Sequence, residues 1–208
     1  MIEIIKTIEY QNFGFNALTI AAGATIIFSL IKGYGIISQG LKIWKNKSGE
    51  NVSAIFFFYN FFFFLLFLNY GIEEKSLAIT VSGALSILYL PILFGLKKYR
   101  GFSRKEIYFA ILMSLIFLLS FLFDKSHMIF VFSIIAAMAI FSQIKEIWKE
   151  KKFGAFSVRY LQTFLAATLF WGIYYVMTQN WLLSILNAIE ILLFTTALIL
   201  EKRWREKK

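Results

Sequence analysis

The sequence predicts an all-α integral membrane protein with seven membrane-spanning helices, and three observations support this prediction. Of the 208 residues, 59% are hydrophobic, 25 are phenylalanine and only one is proline. Seven stretches each approach the length of about 20 mostly apolar residues that a helix needs to cross a bilayer. The basic residues also alternate between successive connections of these stretches.

The seven apolar stretches follow one another with short connections and use most of the chain. They are residues 15–40, 53–72, 76–96, 106–123, 127–147, 157–177 and 181–200. No soluble domain fits in the remainder. The predicted localisation is therefore an integral, multi-pass membrane protein, in the cell membrane if the source is prokaryotic.

The positive charge is concentrated on one side of the predicted helices. The net charge is +10, and 18 of the 22 basic residues lie after the first, third and fifth stretches or in the C-terminal tail. Basic residues flanking membrane helices stay cytoplasmic. The charge pattern therefore predicts an N-terminus outside and a C-terminus inside, and it explains the positive charge without a nucleic-acid partner.

The chain carries few residues for acid–base or metal chemistry. It has no cysteine, one histidine and one aspartate. Catalytic acid–base pairs and metal sites need more groups of these types. We therefore expect no enzymatic activity, no catalytic residue, no metal and no cofactor.

The chain aligns with itself when it is shifted by 104 residues. Between residues 28–53 and 132–157, 11 of 26 positions are identical, against about one in ten expected from composition. We interpret residues 1–100 and 127–208 as two three-helix units, the second including the basic tail. Residues 101–126 supply a connecting helix that restores the orientation, so that both units run parallel in a 3+1+3 arrangement.

The repeated residues carry a resemblance to a known family. Ser38-Gln39 and Ser142-Gln143 each precede an Ile-Trp-Lys triplet by three residues, which resembles the PQ-loop repeat, and the 3+1+3 plan is similar to SWEET sugar transporters. The resemblance covers about residues 15–205. It implies that these four positions act in gating. Because serine replaces the family's proline, each helix keeps a backbone hydrogen bond there and bends less readily.

The same resemblance implies a solute site. Such transporters use a tryptophan on the second helix of a unit and an asparagine on the third, and these positions are Trp171 and Asn187 in the second unit. Their counterparts in the first unit are Phe67 and Gly83. Tryptophan can stack on a sugar ring, and asparagine can bond its hydroxyls. The alternative is structural: Trp171 packs on lipid or protein, and Asn187 bonds a neighbouring helix.

Two charged residues lie within the predicted spans. Lys32 and Glu190 fall at a similar depth when helical rise is applied, and ionisable residues inside a membrane are functional candidates. Two interpretations stay open. The residues form a structural pair that joins the two units, or Glu190 exchanges a proton or contacts a polar or cationic part of the solute.

Together these features predict a transporter that moves a small polar solute by alternating access. The leading candidate for the solute is a mono- or disaccharide. One alternative is a proton-coupled carrier of an amino acid or of a solute similar to nicotinamide riboside. From another class, the alternative is a non-transporting seven-helix receptor. The expected partners are the lipid bilayer and the small-molecule solute, and a homo-oligomer is left open.

Overall fold

The protein is all-helical in the part that a computed structural model describes, residues 17–123, 125–150 and 155–205. These ranges contain seven helices and no strand, as predicted. The helices are α1 (Ala17–Asn46), α2 (Ala54–Glu73), α3 (Leu77–Tyr99), α4 (Arg104–Leu119), α5 (Lys125–Glu150), α6 (Val158–Met177) and α7 (Trp181–Arg205).

Five of the described helices are long and apolar enough to cross a membrane: α1, α2, α3, α5 and α7. The chain is therefore an integral, multi-pass membrane protein. Helix α4 has 16 residues, fewer than the roughly 20 of a full span, and α6 carries Arg159 and Gln162 near its start. Crossing of the membrane by α4 and α6 stays a prediction, as does the orientation of the termini.

Serine caps set the starts of three helices. Ser53 and Ser76 accept hydrogen bonds from the backbone N–H groups of Phe56 and Ile79, at the starts of α2 and α3. Ser103 and Glu106 form a capping box at the start of α4. These bonds satisfy donors that have no partner within the helix, so the helices begin at defined positions.

Helix α3 is interrupted in its middle. Its α-helical parts, Leu77–Ala84 and Leu90–Tyr99, are separated by a 3₁₀ turn at Leu85–Tyr89. Pro91 follows this turn and has no N–H with which to continue the α-helical bonding. Its counterpart α7 is one continuous helix, so the two copies of the third helix differ.

The helices exchange contacts in a twofold pattern. Within the first unit α3 packs on α1 and α2, and within the second α7 packs on α5 and α6. Across the units α1 packs on α6 and α5 packs on α2, while α4 packs on α2. This reciprocal contact is what the 104-residue repeat predicts. The division at residues 1–100, 101–126 and 127–208 stays a prediction.

Glycine allows α2 and α3 to cross closely. A Cβ on Gly83 would overlap the backbone nitrogen of Leu68, and one on Gly71 would lie 2.5 Å from the backbone nitrogen of Thr80. Small residues let membrane helices approach in this way. The first unit therefore depends on these two glycines for its packing.

Candidate functional site

A central cavity of about 60 Å³ lies between the two units. Each of the six helices of the repeats contributes at least one polar side chain to it. These include Lys32, Asn60, Ser82, Ser133, Thr168, Trp171, Asn187 and Glu190. The volume holds a few water molecules. A cavity that gathers polar side chains from six otherwise apolar helices is the strongest candidate for a functional site.

Two aromatic pairs bound this cavity, and each pair joins residues related by the repeat. Phe56 contacts Tyr160 with ring centroids 5.8 Å apart, and Phe67 contacts Trp171 at 5.5 Å. Phe56 and Phe67 are eleven residues apart on α2, which corresponds to about 16 Å along a helix. The pairs therefore lie at two depths, the Phe56–Tyr160 pair near the latch end described below and the Phe67–Trp171 pair near the opposite end.

Three of the residues predicted to bind solute line the cavity together. Trp171 and Asn187 are each 5% exposed and Phe67 is 3% exposed. The Asn187 amide makes no hydrogen bond within the described ranges, so it does not bond a neighbouring helix as the structural alternative supposed. It is positioned to bond a ligand, and that role stays a prediction.

Gly83, the fourth residue of that set, does not line the cavity. It lies at the crossing of α2 and α3, against the backbone of Leu68. Repeat alignment pairs Gly83 with Asn187 but does not reveal which neighbour each residue faces. The structure thus corrects the placement of Gly83 and assigns it to helix packing.

Lys32 and Glu190 both line the cavity, although they are not in direct contact. Lys32 is 4% exposed, and its Nζ donates to Ser82 Oγ at 3.3 Å and lies 4.2 Å from the ring centroid of Phe64. No carboxylate oxygen of the described residues lies within 4.0 Å of this Nζ. The two side chains share the cavity and do not form the close pair expected of a structural link.

Gln39 ties the first unit to the second at the end of α1. Its Nε2 donates to the Ala155 carbonyl at 2.9 Å, and its Oε1 accepts from the Ser157 N–H at 2.6 Å. The Ser38 and Ser157 hydroxyls lie 3.2 Å apart. All three bonds join α1 to the segment that leads into α6.

Gln143 makes the reciprocal connection. Its Nε2 donates to the Asn51 carbonyl at 2.7 Å, and its Oε1 accepts from the Ser53 N–H at 2.9 Å. The Ser142 and Ser53 hydroxyls lie 2.8 Å apart. Each residue of this set is 104 positions from its counterpart in the Gln39 set. We call the two sets the latches.

The latches were not anticipated from the sequence beyond a role in gating for the four motif residues. The sequence did contain a signal for the serine partners of the latches, because the 104-residue shift also superposes Ser53 on Ser157. Both glutamine side chains are buried, with Gln39 at 0% and Gln143 at 2% exposure. They join the two units at the end of the bundle where α1 and α5 terminate.

A larger pocket of about 400 Å³ adjoins the other end of the cavity. It lies among the end of α2, the start of α5 and the α6–α7 connection. It shares Phe67, Tyr175 and Leu183 with the central cavity. The Phe67–Trp171 pair therefore lies where the two spaces meet.

Comparison with known proteins agrees with this architecture. No protein-family model matches the chain, and no curated protein matches it. A solved structure of a eukaryotic SWEET transporter is similar, with a TM-score of 0.58 and 17% sequence identity, over 91% of this chain and 97% of that chain. The protein thus has a SWEET-like fold. The PQ-loop assignment rests on the sequence resemblance.

Gly172→Ala tests the position of Asn187 without removing it. A Cβ at Gly172 would lie 2.7 Å from Asn187 Oδ1, so the amide must turn away while the backbone stays in place. We expect solute affinity to fall as much as in Asn187→Ala, with a change in unfolding free energy below about 1 kcal/mol. Ligand titration and thermal denaturation measure the two effects.

Gly23→Ala is the matched control, because a Cβ there meets nothing within 4 Å. It should leave solute affinity unchanged. Unchanged affinity in Gly172→Ala as well would show that the Asn187 amide does not contact solute.

Proposed function

We propose that the protein is a transporter that moves a small polar solute through the central cavity by alternating access. The supporting observation is that polar side chains from both units converge on a cavity at their interface, where transporters with parallel repeats form their pathway. The latches close one end of this cavity. At about 60 Å³, the cavity requires the units to move apart before a solute larger than a few waters enters.

The latches also bear on the orientation and on the receptor alternative. They lie at the helix ends that carry the basic connections. Because basic connections stay on the cytoplasmic side, the latches form an inner gate. The 400 Å³ pocket at the other end then opens outward. The N-terminus is then outside, and all seven helices cross in the 3+1+3 arrangement. A receptor needs no gate beneath its site, so the latches favour a transporter.

A mono- or disaccharide is the leading solute. Trp171 supplies a flat ring for stacking, and the Asn187 amide supplies a donor and an acceptor for hydroxyl groups. The fold of the SWEET neighbour supports the same class. A monosaccharide suits the small cavity better than a disaccharide does.

A solute that carries both an amine and a carboxylate is the second candidate. Lys32 and Glu190 bring opposite charges from different units to one cavity. Because they are not in close contact with each other, each is available to an oppositely charged group of the solute. An amino acid has this pattern of charges, and Glu190 would then be the group through which a proton gradient is coupled.

A thermal-shift assay on the purified protein separates the two candidates. A bound solute raises apparent stability, so glucose and sucrose are compared with alanine and glutamate. Trp171→Ala should weaken sugar binding by about 0.5–1.5 kcal/mol beyond area loss, and Asn187→Ala by about 1–3 kcal/mol. Lys32→Met should weaken amino-acid binding and spare sugars. Solute shifts that none of these variants reduces would place the site elsewhere.

A further inference from the structure

A basic groove of about 530 Å³ lies outside the central cavity, between the end of α1 and the start of α6. Its cationic side chains are Lys42, Lys45 and Arg159. Ser38 and Gln162 add hydroxyl and amide groups, and Leu41 and Val158 add apolar surface. The groove thus combines cations, hydrogen-bonding groups and an apolar wall.

Neutral partners hold two of the cations in position. Lys42 Nζ donates to the Phe156 carbonyl at 2.6 Å, and Arg159 Nη1 donates to the Tyr34 hydroxyl at 3.1 Å. Among the described residues, no carboxylate oxygen lies within 4.0 Å of Lys45 or Arg159. Lys45 and Arg159 are therefore exposed without being neutralised by a described acid, and Arg159 is also oriented by its bond to Tyr34.

The groove lies at the end of α1, a helix long and apolar enough to cross a membrane, and the end of such a helix is where the membrane surface is expected. Lys42 and Lys45 are in the last turns of α1, which ends at Asn46, and Arg159 is in the first turn of α6. On the same stretch of α1, Tyr34, Ile37 and Leu41 are exposed. In a bilayer these apolar side chains face lipid chains, and the cations face the headgroups.

The fold does not require Lys42 or Arg159, because the equivalent surface between α5 and α2 lacks both and keeps only Lys149, the counterpart of Lys45. A shift of 104 residues replaces Lys42 by Glu146, Arg159 by Ile55 and Gln162 by Phe58. Phe58 packs there on Phe102, with ring centroids 5.1 Å apart. The latch is repeated on both sides of the molecule, whereas the basic groove occurs on one.

We propose that this groove binds the phosphate headgroup of an anionic phospholipid in the inner leaflet. Basic pockets between membrane helices on the cytoplasmic side bind such headgroups. The Arg159 guanidinium can contact two phosphate oxygens, and Lys45 acts as a point charge. The acyl chains follow the exposed apolar side chains of α1. Ser38 belongs both to the groove and to a latch, so a bound lipid stabilises the latched conformation.

Native mass spectrometry of the purified full-length protein tests this proposal. The protein is incubated with phosphatidylglycerol, with phosphatidylcholine and, separately, with inorganic phosphate. We expect one retained phosphatidylglycerol, little phosphatidylcholine and no retained phosphate. Lys45→Gln/Arg159→Gln should lower phosphatidylglycerol affinity about ten-fold.

Lys145→Gln/Lys149→Gln is the matched control, since it removes the same charge from exposed positions near the end of α5. It should retain phosphatidylglycerol as the wild type does. Equal losses in the two double variants would overturn the proposal, because the lipid would then respond to overall charge. Retention of inorganic phosphate at the groove, or of both lipids equally, would also overturn it. The readout does not depend on transport.

Discussion

Gly83→Ala is expected to destabilise the protein by about 3 kcal/mol without acting on the solute site. The added methyl group would overlap the backbone of Leu68, so α2 and α3 must separate along their crossing. Overpacking of a dense interior costs about 1–3 kcal/mol, and the upper end applies where backbone must move. Unfolding in a detergent–denaturant series measures the loss.

Gly40→Ala is the control for this prediction. Gly40 also faces α3, but a Cβ there would make ordinary contact with Ile92 at 3.5 Å. We expect a change below about 1 kcal/mol. A Gly83→Ala protein of wild-type stability that no longer binds solute would instead return Gly83 to the site.

Gln39→Ala/Gln143→Ala is expected to remove both latches and to destabilise the conformation in which they close the cavity. Each substitution leaves a buried carbonyl and a buried N–H without the partner that the glutamine supplied. An unsatisfied buried group costs about 1–3 kcal/mol. Each latch therefore contributes on the order of 2–6 kcal/mol when water does not replace it.

The measurement is the distance between spin labels at Lys98, near the end of α3, and at Lys149, near the end of α5, so that one label lies in each unit. It is made in the wild type and in the latch variant. The distribution at the latch end should broaden toward longer distances. Thr196→Ala, which changes an exposed threonine on α7 that bonds only the Leu192 carbonyl of its own helix, should leave it unchanged. Identical distributions in the wild type and the double variant would show that the latches do not hold this end closed.

Local sequence features predict the elements of this fold well. The stretches 53–72 and 157–177 correspond to α2 (Ala54–Glu73) and α6 (Val158–Met177), because an apolar run is a local signal. A serine cap adds a second local signal for α2, whereas Ser157 makes no capping bond to α6. The predicted C-terminal boundary of the stretch 106–123 is wrong. Helix α4 stops at Leu119, although the apolar residues continue, since hydropathy does not mark where backbone bonding ends.

The depth of a residue along its helix can be predicted from the sequence, but the neighbours that its side chain contacts cannot. Helical rise predicts one depth for Trp171 and Asn187 and one depth for Lys32 and Glu190, and all four residues line the cavity. Rise does not reveal that Lys32 turns toward Ser82 and Phe64. The latches join residues about 90 to 119 positions apart, and the side chains that meet across two units depend on packing of the whole molecule.

Alternating access is tested most directly by the accessibility of a single cysteine within the cavity. Ser133 lines the cavity, and the chain has no native cysteine. Ser133→Cys in proteoliposomes of one orientation is exposed to a membrane-impermeant thiol reagent on either side. Met113→Cys, fully buried in α4, serves as the unreactive control.

The account predicts that Ser133→Cys is labelled from both sides, because the cavity opens to each side in turn. Labelling from the latch side should be faster in the Gln39→Ala/Gln143→Ala background. Labelling from the outer side alone, in both backgrounds, would contradict alternating access and would favour a receptor with a fixed outer pocket.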